Sequence, residues 1–266
     1  MQPHAETSRI AQQNQLIQQE FTKQAQAYAS NPNIRDPDWA MRLVQAASPA
    51  PNDSGLDLAT GPGYVALAFA AAGCQVTGVD LTAAPLAIAE QNRAERGLPN
   101  VHFEAADANQ LPFADNSFDI VVCRLAMHHF AEPQTVFGQM VRVCRPGGKV
   151  VIEDLLASEN PTRAEFYNHW ERLRDPSHVI ALALSQLIGF YAAADLEVES
   201  VQSEARTQVV EQWLRNAQTP PDKAAQVRQL LAADRAQNRS GIHIFENDAG
   251  QLCFDHRMFT VVGRKG

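Results

Sequence analysis

Leu56-Asp57-Leu58-Ala59-Thr60-Gly61-Pro62-Gly63-Tyr64-Val65-Ala66 joins a short apolar run to an alanine-rich one through two closely spaced glycines. The first run reads as a buried strand and the second, residues 64–72, as a helix. Gly61 and Gly63 let the backbone turn tightly and come close to a ligand. The helix after them offers unpaired N–H groups and the positive end of its dipole. Seventeen residues past Gly63 lies Asp80, at the end of the next apolar run, where a carboxylate accepts hydrogen bonds from a ribose diol. An adenosine-type ligand is implied.

Outward from this loop, short apolar runs alternate with helical segments. Strands are expected at 55–59, 75–79, 101–104, 118–122 and 149–152, with helices at 64–72, 83–96 and 132–144. That alternation requires right-handed crossovers and a mostly parallel sheet covered on both faces. In the last third, helical patterns at 163–173, 180–194 and 209–235 surround one strand at 197–201. Residues 242–245 and 258–262, separated by a glycine-containing turn, read as a terminal antiparallel element. The fold class expected is α/β: a doubly wound, mostly parallel seven-stranded sheet with an antiparallel C-terminal strand and a helical cap. Before the core, Ile10, Leu16, Ile17 and Phe21 mark a helix face, and Trp39, Met41, Leu43 and Val44 one side of a second helical stretch.

The chain has 266 residues, with 22 Lys plus Arg against 30 Asp plus Glu and a net charge of −8. No global basic field exists to recruit phosphate backbones, so nucleic acid is not an expected partner. Cys74, Cys123, Cys144 and Cys253 form no C-x-x-C pair, which argues against a disulfide framework or a metal site and for a reducing, cytoplasmic setting. Residues 1–6 lack a leader pattern and no run is long enough to span a bilayer, so membrane insertion is not expected either.

Gly61-x-Gly63-x-x-Ala66 also satisfies the dinucleotide fingerprint, so a nicotinamide oxidoreductase has to be weighed. Asp57 sits four residues before Gly61, where a pyrophosphate would suffer from a carboxylate and an ammonium-bearing ligand such as S-adenosylmethionine (SAM) would welcome it. The stretch 57–63 resembles the first motif, D-x-G-x-G-x-G, of class I SAM-dependent methyltransferases, with Ala59 replacing the first glycine. Val79-Asp80 is similar to their second motif, Ala106-Asp107-Ala108 to their third, and Arg145-Pro146-Gly147-Gly148 to the turn before their fifth strand. Leu111-Pro112-Phe113 through Phe118-Asp119 resembles the ubiquinone/menaquinone-biosynthesis-like branch, often labelled type 11.

The resemblance implies a Rossmann-like methyltransferase fold and SAM as cofactor, with S-adenosylhomocysteine (SAH) as product. It assigns cofactor contacts to Asp57, Ala59, Gly61, Gly63, Asp80, Leu81 and Arg124. It gives Asp107 the adenine amine and Ala108 a backbone contact, although Asp107 also reads as a turn cap. Phe21 to Tyr28 resembles an F-x-x-x-A-x-x-Y lid helix, in which Tyr28 covers the methionyl group and Arg35 pairs with its carboxylate. Core packing for Tyr28 and a solvated surface for Arg35 are the alternatives.

Ligands of open α/β sheets sit outside the carboxyl ends of the strands, so the residues after strands four and five face the transfer site. Strand four exits into Arg124-Leu125-Ala126-Met127-His128-His129-Phe130, where either histidine could take a proton from an acceptor or simply pack the following helix. Strand five exits into Glu153-Asp154, and Asp154 reads as orienting a polar acceptor or as a cap. In Arg174-Asp175-Pro176-Ser177-His178, Asp175 or Ser177 caps a helix beginning near Val179, or His178 and Arg174 line the acceptor pocket.

The organisation expected is a helical lid over residues 1–45 and a methyltransferase domain over 46–266, with cap insertions at about 156–195 and 207–240. The function expected is methyl transfer from SAM to a small organic acceptor on O, C or N, with His128, His129 and His178 as candidate catalytic residues. A non-catalytic SAM/SAH-binding regulator is the second reading. Oligomeric state is left open, a homodimer included.

Overall fold

The first strand of the sheet, β1 (Ser54–Leu58), runs parallel to β2 (Gln75–Asp80) on one side and to β4 (Phe118–Arg124) on the other. The structure is a computed structural model that describes residues 3–266, with side chains from residue 8 onward. The leader reading at Met1 and Gln2 lies outside the described residues. β3 (Val101–Ala105) extends the parallel array beside β2, and β5 (Cys144–Leu155) extends it beside β4. β8 (Leu252–Lys265) runs antiparallel between β5 and β6 (Leu196–Val209), which gives the order β3-β2-β1-β4-β5-β8-β6. These are the seven strands expected, and a three-residue β7 (Ile244–Glu246) pairs with β8 as an eighth.

Helices α3 (Pro37–Ala47), α4 (Tyr64–Ala71) and α5 (Ala83–Arg96) cover one face through Leu43, Val44, Leu67, Phe69 and Ala89. On the other face, α6 (Pro133–Val143) and α8 (Leu184–Ala193) bury Val136, Phe137, Met140, Leu187 and Tyr191. Pressing α8 onto the sheet requires Gly263 of β8, because a Cβ there would stand 2.4 Å from the Tyr191 ring. Met41 does not join the side made by Trp39, Leu43 and Val44; the helical turn carries it outward, where it is 39% exposed.

Three further departures from the sequence reading shape the site. β6 has 14 residues where five were expected. Residues 180–183 are extended, with Leu182 bridging Leu156, so the helix begins at Leu184 and Asp175 and Ser177 do not cap it. The pattern at 209–235 is broken by Pro220 into α9 (Val210–Asn216) and α10 (Pro221–Gln237).

β5 ends at Leu155, opposite Met258, whereas β8 begins six residues earlier, at Leu252. The paired segments 205–209 of β6 and 253–257 of β8 therefore overhang the carboxyl end of the parallel strands. Together with α7 (Pro161–Arg174), α9 and α10 they bury a third apolar cluster around Tyr167, Trp170, Trp213 and Phe254. From the opposite side α1 (Pro3–Ser30) lies across the strand ends, followed by the short α2 (Pro32–Arg35).

Candidate active site

A cavity opens between α1 and the loop that joins β1 to α4. Its floor is built by local chain constraints. Ala59, Gly61 and Gly63 have φ of 54°, 53° and 82°, a left-handed run that turns the chain back over the strand end. At Gly63 no side chain fits, since a Cβ would meet the Phe103 ring at 2.7 Å. Asp57 holds the turn from inside: its Oδ2 accepts from Thr60 Oγ1 at 2.6 Å and from the Ala66 amide at 3.0 Å. Among the described residues no group donates to its Oδ1. Burial pushes the Asp57 carboxyl up to about 6, with the bond from Thr60 opposing.

The remaining groups around this cavity suit an adenosine bearing a methionyl chain. Asp80 accepts from the Gly61 amide at 2.9 Å through Oδ2 and from the Thr82 amide at 2.8 Å through Oδ1. A carboxylate has about four lone-pair sites, so both oxygens keep capacity for a ribose diol. Asp107 accepts from Asn109 and, at 2.8 Å, from Asn14 of α1, while the buried Asn109 Oδ1 has no partner and stands ready for an amine. Ala108 and Leu81 line the same cavity, and Tyr28 closes it, its ring 3.9 Å from where a Gly61 Cβ would stand.

Arg35, expected to meet a carboxylate, is exposed and lines no described cavity. Its neighbour Ile34 turns inward instead and accepts from Arg124 Nη2 at 3.1 Å. Arg124 lines the cavity, stacks 4.5 Å over Trp39 and has a buried Nη1 without a partner. An unspent guanidinium donor and an unspent carboxylate oxygen thus sit in one cavity, complementary to an amino acid group.

A second cavity shares Phe21, Tyr28, Ile34, Leu125 and His129 with the first. Leu125, at the turn after β4, has φ 55°. His128 borders this second cavity and its Nδ1 hydrogen-bonds Asp154 Oδ1. Burial pushes the His128 imidazole down, but the charge and hydrogen bond of Asp154 outweigh it and hold the group above its usual value. His129 packs edge-on to Phe21 at 5.0 Å, and burial beside His128 lowers it to about 4, leaving it neutral. His178 lies behind this pair, 5.3 Å from the His128 ring, with Nε2 bonded to Asn168 at 2.7 Å. It reaches neither cavity.

Of the far wall of the second cavity, Arg174 alone was read from the sequence. The overhang brings Arg206, Gln208 and His256 there, α9 brings Trp213, and α7 ends in Arg174. His256 Nε2 lies 2.8 Å from both Glu171 Oε1 and Tyr167 Oη, all three buried. Asn14 and Asn109 were missed in the first cavity. Apart from Arg174, none of these residues sits in a local motif, so only the topology gathers them.

Residues 56–152 match the family model described as a methyltransferase domain. Over 229 residues the chain is 32% identical to the uncharacterized methyltransferase YcgJ of Bacillus subtilis, covering 85% of this chain and 90% of that one. The crystal structure of YcgJ superposes with a TM-score of 0.80 over 86% of this chain and 98% of that chain. The ubiquinone/menaquinone biosynthesis C-methyltransferase UbiE of Bdellovibrio bacteriovorus is 33% identical over 164 residues, 59% of this chain and 69% of its own length. Haemonchus contortus phosphoethanolamine N-methyltransferase 2, crystallised with SAM, shares the fold at a TM-score of 0.60 and 20% identity, over 86% of this chain and 52% of that chain.

Proposed function

The chain belongs to the class I SAM-dependent methyltransferases, and from that premise we propose that it methylates a small organic acceptor, on oxygen, carbon or nitrogen, held in the second cavity. SAM supplies an electrophilic methyl group on a sulfonium sulfur, which leaves as a neutral thioether. Asp57 Oδ1 takes the ammonium of the cofactor and Arg124 Nη1 its carboxylate; Asp80 takes the ribose, and Asp107 with Asn109 the adenine amine. The nicotinamide reading is set aside by the family.

His128 is the group that accepts a proton from the acceptor. With Nδ1–H donated to Asp154, its Nε2 carries the free lone pair, and the carboxylate stabilises the imidazolium that forms. His129 is a neutral wall between the cavities, and Tyr28 and Phe21 keep water from the transfer line. The observation that carries this reading is the shared lining: a cofactor-shaped cavity with unspent amino acid partners adjoins a second one that holds a histidine–carboxylate pair. That pair favours catalysis over passive cofactor binding.

Incubation with methyl-labelled SAM and a panel of phenols, quinols, hydroxy acids and amines, plus cell extract, tests the proposal. Label should pass to an acceptor with the wild-type protein, and more slowly with Asp57→Asn when SAM is below saturation. Label that stays on SAM with every acceptor, together with a melting temperature unmoved by SAH, sinks it.

A further inference from the structure

Resting on the reading of the second cavity as the acceptor site, we propose that the acceptor is an aromatic hydroxy acid, its carboxylate bound by Arg174 and Arg206 and its hydroxyl placed beside His128. Among the described residues lining this cavity, the buried polar side-chain atoms left without a partner are Trp39 Nε1, Arg206 Nη2 and Trp213 Nε1. All three are donors. Asp175, the lone carboxylate of the lining, already receives the Ser177 amide at 2.9 Å, Ser177 Oγ at 2.6 Å and Gln24 Nε2 at 3.2 Å. Gln208 Oε1 accepts from Asn33 and Asn216 Oδ1 from Gln212. A ligand that completes the three unpartnered donors brings oxygen acceptors to them.

Arg206 Nη2 is the strongest of these unpartnered donors, and the Arg174 guanidinium, loosely held, stands on the same wall. Arg174 makes one long bond, 3.4 Å to the Trp213 carbonyl, and stands 3.9 Å from Glu171. Arg206 donates to Glu204 at 2.8 Å and lies 3.5 Å from Asp36, which leaves its Nη2 open. Arg206 pairs across the overhang with His256, and His256 bonds the Glu171 that Arg174 approaches, so both arginines flank one histidine. Planar forks of this kind match a carboxylate.

The remainder of the lining specifies the body. Phe21, Tyr28, Ile34, Leu125 and Met258 give an apolar slot for a flat ring. His128, with Asp154 behind it, suits a weakly acidic hydroxyl on that ring.

The test is calorimetric titration of the SAH-saturated protein with hydroxybenzoic and hydroxynaphthoic acids, each beside its methyl ester and its amide. At least one acid should bind ten-fold or more tightly than its neutral counterparts. Arg174→Gln and Arg206→Gln should erase that preference while SAH affinity stays unchanged. The ester comparison on the unaltered protein stands whether or not the variants fold. Esters and amides that bind as well as the acids, or no binding by any acid, overturns the proposal. Absence of SAH binding strikes the methyltransferase reading instead.

Discussion

His128 donates its Nδ1–H to the carboxylate of Asp154, and both side chains are nearly sealed from solvent, at 7% and 2% exposure. Because Asp154 raises the imidazole pKa, the free base needed for proton transfer exists only above that value, and turnover should rise with pH and then level. His128→Gln should lower kcat by about 10²–10⁴ with SAH affinity unchanged. Asp154→Asn removes the charge that raises the pKa, so the inflection should move to lower pH; NMR titration of the His128 ring measures it independently of any acceptor. An inflection that stays in place excludes Asp154 as its cause.

Asp57 yields a second pH dependence. In the free protein its carboxyl holds a proton up to about 6, and only the ionised form attracts an ammonium group. SAH affinity should therefore be level near neutrality and weaken as pH falls through about 6, with proton uptake by the protein opposing binding. Asp57→Asn should cost about 1.5–3 kcal/mol of SAH binding, read by titration calorimetry at pH above that inflection. An affinity indifferent to both changes would place the amino group elsewhere.

Arg124 and Arg35 can be separated by the same method. Arg35→Ala should leave SAH affinity unchanged, because its side chain is exposed. Arg124→Gln should weaken it by roughly 10-fold or more, the usual worth of a hydrogen bond from a charged donor. Equal effects of the two substitutions would return Arg35 to the site.

The turn over β1 carries strain that can be measured. Ala59 has φ 54°, a conformation that costs an L-residue about 1–2 kcal/mol and glycine almost nothing. Ala59→Gly should raise the melting temperature by about 2–4 °C for each kcal/mol recovered in a chain of this size. Gly63→Ala should do the opposite, since φ is 82° and the new Cβ would stand 2.7 Å from Phe103 and 3.0 Å from Ala89. Loss of SAH affinity in Ala59→Gly without loss of stability would show that the methyl group itself contacts the ligand.

The cofactor half was legible because its groups are local. Asp57, Gly61, Gly63 and Asp80 belong to one strand–loop–helix–strand unit, and their spacing alone brings them together. The second cavity was legible only at His128, His129 and Arg174. Trp39, Arg206, Trp213 and His256 come from four elements, and the strand that carries Arg206 is masked by the polar run Gln202-Ser203-Glu204-Ala205-Arg206-Thr207-Gln208. That run is an exposed edge with no apolar alternation, so only its pairing with β8 reveals it. Arg35 misled for a related reason. In the four-residue helix α2 the inward position falls to Ile34, and the inward-facing arginine comes from β4.

A crystal structure of the complex with SAH is the most direct measurement. The amino group should lie within hydrogen-bond distance of Asp57 Oδ1 and the carboxylate against Arg124. The ribose should sit on Asp80 and the sulfur should face the wall shared by Leu125 and His129. SAH bound outside this cavity, or bound within it with the sulfur turned away from the second cavity, would refute the arrangement of cofactor and acceptor described above.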